Sequence, residues 1–140
     1  GSSTLYLDGI KVGDGGQTTG RLNLTVFPTS DFKFNLALFG ADNIFSNINA
    51  EDFDEPDGGN AQLPAYKLFD FGAGYNFDLF GNNAYLRLNI NNVFDEEYYP
   101  EMENNYLATD DSTNYMGINT ANRIFPGWGR TWNVGLTYRF

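Results

Sequence analysis

Few side chains in this chain could do chemistry, and the missing types narrow the choice. The 140 residues include no His and no Cys, which removes the commonest general base, the commonest metal ligand and any thiolate site. Catalysis would have to rest on carboxylates, hydroxyls or Lys. Asp and Glu pairs occur, but none forms a matched acid and base, so the chain does not read as an enzyme. The densest acidic run, Asp52-Phe53-Asp54-Glu55-Pro56-Asp57-Gly58, invites a calcium reading. It fails the EF-hand template: with Asp52 and Asp54 as first and third ligands, Pro56 takes the fifth position and Asp57 replaces the turn Gly. A solvated acidic loop explains the run without a metal. A second group suits sugars, because Tyr98, Tyr99, Tyr106, Tyr115 and Trp128 lie among Asn and Asp residues. Ring faces stack on sugars while amides and carboxylates take their hydroxyls. Packing of the loop, or a belt of interfacial aromatics, would use the same residues. No cofactor is called for.

The elements that would carry these residues are strands. From Thr131 to Phe140, Trp132, Val134, Leu136, Tyr138 and Phe140 fall on one side, and Asn133, Gly135, Thr137 and Arg139 on the other. That is amphipathicity at period two. Ala84–Val93 sets Leu86, Leu88 and Ile90 against Arg87, Asn89 and Asn91. Tyr66–Phe77 sets Phe69, Phe71, Ala73, Tyr75 and Phe77 against Asp70, Gly72, Gly74 and Asn76. Phe32–Phe39 and Arg21–Phe27 repeat the pattern, and Thr4–Val12 starts it with Leu5 and Leu7 before losing it at Asp8 and Gly9. An aromatic-rich row running to a terminal Phe is the pattern of a strand with lipid on one side and a watery lumen on the other. One face against the core of a soluble β-sandwich gives a similar alternation, so a carbohydrate-binding sandwich is the main alternative.

Charge and hydropathy fit a barrel better than a helical membrane protein. Mean hydropathy is −0.40, and no run of ~18 apolar residues exists to span a bilayer as a helix. Barrel strands escape that requirement because alternate residues face water. A net charge of −10 makes nucleic acid an improbable partner. The carboxylates gather in two long connections, 41–65 and 95–127, while the strands stay nearly neutral. Two connections are short. Pro28–Asp31 is expected to turn with Pro fixing φ and Ser30 and Asp31 bonding the backbone, and Asp78–Asn83 to turn around Gly81-Asn82. Short periplasmic turns and long extracellular loops are the rule in outer-membrane barrels, which puts the C-terminus at the periplasmic side.

The residues also carry a resemblance. Leu86-Arg87-Leu88-Asn89-Ile90-Asn91-Asn92-Val93-Phe94-Asp95, followed by Glu96-Glu97-Tyr98-Tyr99, resembles the "NLFD…Y" strand near the end of TonB-dependent outer-membrane receptors. Asn92, Val93, Phe94, Asp95 and Tyr98 are the matching positions. Leu63-Pro64-Ala65-Tyr66 resembles the "LP-x-Y" entry of the preceding strand, and Pro126-Gly127-Trp128-Gly129-Arg130-Thr131-Trp132 the "PGR" approach to the last. Gly9–Asp14 and Gly129-Arg130-Thr131 are similar to the branch that imports glycans or peptides in Bacteroidetes-type bacteria. Together the matches cover about residues 20 to 140.

The resemblance implies a receptor for siderophores, cobalamin or oligosaccharides, sited in outer-membrane lipid. Its implied partners are a plug, a periplasmic energy-coupling TonB protein, a surface lipoprotein, and the barrel-assembly machinery. That machinery would read Trp132, Leu136, Tyr138 and Phe140 by strand addition. Such barrels have ~22 strands, and ~8 is the smallest that closes. The expected fold is therefore all-β, an antiparallel meander of five or six transmembrane strands forming part of a larger barrel. Residues 4–140 would be the C-terminal portion of that barrel and residues 1–3 a cleavage junction or cloning scar. A small independent outer-membrane barrel would need two more strands than the pattern supplies.

Overall fold

The computed structural model describes residues 4–13, 15–47, 53 and 59–140. It is all-β and antiparallel. The strands are β1 (Gly16–Val26), β2 (Phe32–Phe45), β3 (Gln62–Leu63), β4 (Tyr66–Leu79), β5 (Asn82–Asn91), β6 (Glu101–Glu103), β7 (Asn114–Tyr115), β8 (Ile118–Asn119), β9 (Arg123–Phe125) and β10 (Thr131–Tyr138). The main sheet runs β1-β2-β4-β5-β10, with β3 on β2, while β6 pairs β9 and β7 pairs β8. No described strand closes β1 onto β10, so the sheet is open. The chain divides into two compact units: Gly1–Thr19, Ala41–Tyr66 and Glu97–Gly127 in the first, Gly20–Gly40, Lys67–Glu96 and Trp128–Phe140 in the second.

The second unit is the sheet that the alternation predicts. Register puts Trp132 opposite Ile90, Val134 opposite Leu88 and Leu136 opposite Leu86. The same three β5 residues oppose Phe71, Ala73 and Tyr75 of β4. One face is therefore apolar on every strand, since a one-residue slip anywhere would invert it. Phe32 stacks on Tyr75 with ring centroids 4.2 Å apart, and Phe34 on Phe71 at 6.1 Å. This face is bare: Leu22 is 68%, Leu136 59% and Trp132 72% exposed.

Two turns differ from expectation. β4 and β5 join through Phe80-Gly81, one residue earlier than the Gly81-Asn82 pair, with φ of 54° and 81°. Positive φ at both central positions is the primed turn whose twist matches a hairpin, and the Asp78 carboxylate accepts from the Gly81 N–H at 2.9 Å. Between β1 and β2 the bonding group is Thr29, whose Oγ1 accepts from the N–H of Asp31 and of Phe32. Ser30 and Asp31 side chains do not fill that role.

The first unit corrects two further expectations. Residues 4–13 form no strand: Gly9 turns the backbone at φ 79°, and the N–H groups of Tyr6 and Lys11 go to Phe53 O and Asn60 Oδ1. The long connections are folded rather than plain loops. Ile44 and Phe45 of β2 pair with Leu63 and Gln62, and β6–β9 and β7–β8 arise within 95–127. Ile44, Phe53, Ala61, Leu63, Tyr99, Met102 and Ile118 are buried here. Among the described residues, the second unit contributes only Ala84 to the buried apolar set.

Candidate functional site

The polar face of the second unit is built from small and amide side chains. Thr25 Oγ1 donates to Asn35 Oδ1 at 3.0 Å, Asn89 Nδ2 to Asn133 Oδ1 at 2.9 Å, and Asn91 Nδ2 to Thr131 Oγ1 at 3.1 Å. Gly72 lies between Asn35 and Asn89, where a Cβ would sit 3.4 Å from one amide and 3.3 Å from the other. The row Thr25, Asn35, Gly72, Asn89, Asn133 thus crosses all five strands and floors an open recess with Arg21, Asn23, Asp70 and Asn91 on its walls. Such a lining holds water or a polar solute through donors and acceptors of both kinds.

One row along, Tyr85 lies across Gly74, where a Cβ would collide with the phenol oxygen. Lys33 Nζ rests 5.4 Å from the centre of the same ring. A large side chain filling the space over a glycine on the next strand fixes register. In the sequence its only signal is a glycine on the polar side of one strand and an aromatic on the polar side of the next.

The residues behind the family resemblance converge on one clasp. Asn92 is buried and adopts φ 50°. Its N–H donates to Asp70 Oδ1 at 2.9 Å. Its side chain accepts from the Glu96 N–H and donates to the carbonyls of Glu96 and Trp128. Asp95 also has positive φ, at 58°, and its carboxylate accepts from the Arg130 N–H at 2.6 Å. The Val93 N–H bonds Phe69 O at 2.7 Å, and Phe94, itself exposed, places its ring 5.5 Å from that of Phe69. The motif therefore ties the end of β5 to β4 and to the approach to β10.

The aromatics proposed for sugar contact are not one platform. In the first unit, Tyr98 packs beside Tyr66 at 4.5 Å and passes over Gly127, where any Cβ would fall inside its ring. Tyr99 is buried and bonds Glu97, which also accepts from Tyr115 Oη at 3.1 Å. The Glu97 bond, with burial and the nearby carboxylate charge, raises the Tyr99 phenol well above its usual 10.0. Tyr106 and Tyr115 are exposed. Trp128 belongs to the second unit and is also exposed. Trp132, Leu136, Tyr138 and Phe140 share the bare apolar side, with Tyr138 and Phe140 rings 6.3 Å apart. The acidic run at 52–58 lies outside the described residues except Phe53. Among the described residues no group of three Asp or Glu side chains could hold a metal. No described helix is long and apolar enough to cross a membrane, which says nothing about strands.

No family model, curated protein or solved structure matches this chain.

Proposed function

We propose that the chain forms a sector of the wall of an outer-membrane β-barrel, the C-terminal sector of a TonB-dependent nutrient receptor. Its apolar face meets acyl chains and its amide-lined face borders an aqueous lumen. The observation that supports this reading is the bare apolar row in phase across five adjacent strands, with amides, hydroxyls and cations on the opposite side. In water such a row would be an exposed patch prone to association. A soluble sandwich would need those same side chains covered by a second layer. The receptor role rests on the resemblance of Asn92–Asp95, Leu63–Tyr66 and Pro126–Trp132, and on nothing more specific to a cargo.

Fractionation of cells carrying the full natural gene product, tagged within 107–113, tests the reading. Recovery in the outer-membrane fraction, with the tag open to antibody on intact cells, is expected. Uptake of a siderophore, cobalamin or oligosaccharide that stops when the energy-coupling protein is removed would support the receptor role. A product that fractionates as a water-soluble monomer overturns the barrel assignment. Outer-membrane residence with uptake of none of the three nutrient classes overturns the receptor role alone.

A further inference from the structure

The amide row of the second unit uses only half of its hydrogen-bonding capacity. Each Asn commits one end of its side-chain amide to a neighbour: Asn35 Oδ1 accepts from Thr25, Asn89 Nδ2 donates to Asn133, Asn91 Nδ2 donates to Thr131, and Asn23 Oδ1 accepts from the Arg21 Nε–H. Among the described residues the other ends bond nothing. They are the donors Asn23 Nδ2, Asn35 Nδ2 and Asn133 Nδ2 and the acceptors Asn89 Oδ1 and Asn91 Oδ1, all on residues that line one recess of about 520 Å³. Two of these ends converge. The point where a Cβ of Gly72 would stand lies 3.4 Å from Asn35 Nδ2 and 3.3 Å from Asn89 Oδ1. With no side chain there, a donor and an acceptor face a common gap, and the bonds at their far ends hold both amides in place before anything binds. Charge balances across the recess. Its ionised side chains are Arg21 and Asp70, and Asp70 already accepts from the Asn92 N–H.

We propose that this recess is a binding site for a neutral saccharide, with one sugar hydroxyl seated over Gly72, accepting from Asn35 and donating to Asn89. A hydroxyl donates and accepts through a single oxygen, which matches a gap between one donor and one acceptor. An anion offers acceptors alone and would leave Asn89 Oδ1 and Asn91 Oδ1 facing negative charge. An ammonium group offers donors alone and would face the three amide N–H ends. A trans peptide unit points its C=O and N–H in opposite directions. With a hydrogen bond of about 2.9 Å on each side, it needs more width than two ends that both lie within 3.4 Å of one point. Neighbouring hydroxyls of the same sugar then meet Asn91 and Asn133 on the following strands, where the free ends are again one acceptor and one donor. The inference rests on the proposed setting only in taking this face to be wet.

The test is an NMR titration of the chain in zwitterionic micelles free of sugar headgroups, following the side-chain amides of Asn35, Asn89 and Asn133. Maltohexaose, xylohexaose and mannohexaose are the probes, with hexaglycine and sodium sulfate as comparisons. Saturable shifts with at least one hexasaccharide are expected, unchanged as salt rises through ~0.3 M because no ion pair is there to screen. Gly72→Ala puts a methyl group where the hydroxyl sits. The amide ends it meets can give the few tenths of an ångström required, so the sheet stands while binding weakens about tenfold, the scale of a lost hydrogen bond whose partner is left unsatisfied. Asn35→Asp turns the donor into an acceptor and should also cost about tenfold. Asn76→Ala, two rows along β4 on the same face and outside the recess, changes nothing. The proposal is overturned if none of the three sugars moves these amides, if hexaglycine or sulfate moves them equally well, or if either folded variant binds as the parent does. A product that fractionates as a water-soluble monomer overturns the barrel instead, and the same titration in plain buffer then reads this site by itself.

Discussion

Replacing Asn92 separates two things the residue does. Its side chain makes three hydrogen bonds, donating to Glu96 O at 2.9 Å and Trp128 O at 3.3 Å and accepting from the Glu96 N–H at 2.9 Å. It is buried, and truncation leaves three backbone groups without this partner. At about 1 kcal/mol each, more where a group is left unsatisfied, the bonds contribute roughly 2–4 kcal/mol. The backbone φ of 50° adds a second demand, because a residue with a Cβ and no local side-chain bond pays ~1–2 kcal/mol in the left-handed region while Gly does not. Asn92→Gly should thus lose only the bonds. Asn92→Ala should lose the bonds and cost ~1 kcal/mol more. Asn92→Asp keeps the acceptor and the tolerance of φ but points a carboxylate at two carbonyls. Urea unfolding in micelles, followed by fluorescence of Trp128 and Trp132, reads all three. If Asn92→Ala lies within 0.5 kcal/mol of the parent, a threshold at the low end of a single hydrogen bond, the clasp is decorative. If Ala and Gly are equal, the backbone argument fails.

Three more outcomes follow from particular contacts. Gly127→Ala must drive the Tyr98 ring off its seat beside Tyr66, an overpacking expected to cost ~1–3 kcal/mol and measurable as a lower unfolding midpoint. Tyr99 keeps its proton above pH 10 in the folded state, since Glu97 and burial both favour the neutral phenol. A raised folded pKa means the contribution is full below the unfolded value of about 10 and is lost as pH climbs past it. Phenolate absorbance during alkaline titration should show one late tyrosine that vanishes in Tyr99→Phe. Leu88→Lys, at mid-strand on the apolar face between Ala73 and Val134, should cost ~2–4 kcal/mol in a bilayer. Asn89→Lys, one residue on, should cost no more than the exposed bond to Asn133 that it removes, ~0.5–1.5 kcal/mol, and equal effects of the two in refolding yield into vesicles would contradict the assigned sidedness.

What the sequence made legible was periodicity. Leu86, Leu88 and Ile90 could be put on one face before any register was known, because a strand alternates regardless of its partner. The partners then matched them with Phe71, Ala73, Tyr75 and with Trp132, Val134, Leu136. The strand ends were not legible where pairing is long-range. β2 continues to Phe45 because Ile44 meets Leu63, far along the chain, and Thr4–Val12 is no strand because Gly9 turns its backbone while Tyr6 and Lys11 bond Phe53 and Asn60 singly. The connection 95–127 has the sequence of a polar loop because its organisers are polar. Asn105 accepts from Ser46 Oγ and from the Ala61 N–H, both at 2.6 Å, and donates to Gly59 O. Asn122 brackets Tyr106 through its N–H and its carbonyl. Such amides leave no periodic trace, since each serves several particular groups and not a repeating row. The tyrosines were visible as a group, but Tyr99 turned inward while Tyr106 and Tyr115 stayed exposed.

Burial is distributed in a way that bears on the proposed setting. The segments richest in polar residues supply the buried apolar side chains, Ile44, Phe53, Leu63, Met102 and Ile118, whereas the segments richest in aromatic alternation leave theirs exposed or half-buried. Cross-strand pairs such as Phe32–Tyr75 contribute ~0.2–1 kcal/mol each, and ordering each backbone residue costs ~1–2 kcal/mol. Pairs alone therefore cannot hold five strands flat in water. The missing stabilisation has to come from an apolar medium or surface against Leu22, Leu88, Val134 and their neighbours. A helix or second sheet could supply it only by matching the side chains of five strands at once. Acyl chains supply it without shape-matching, which is why the proposed setting requires of this face only that it be continuous and uncharged.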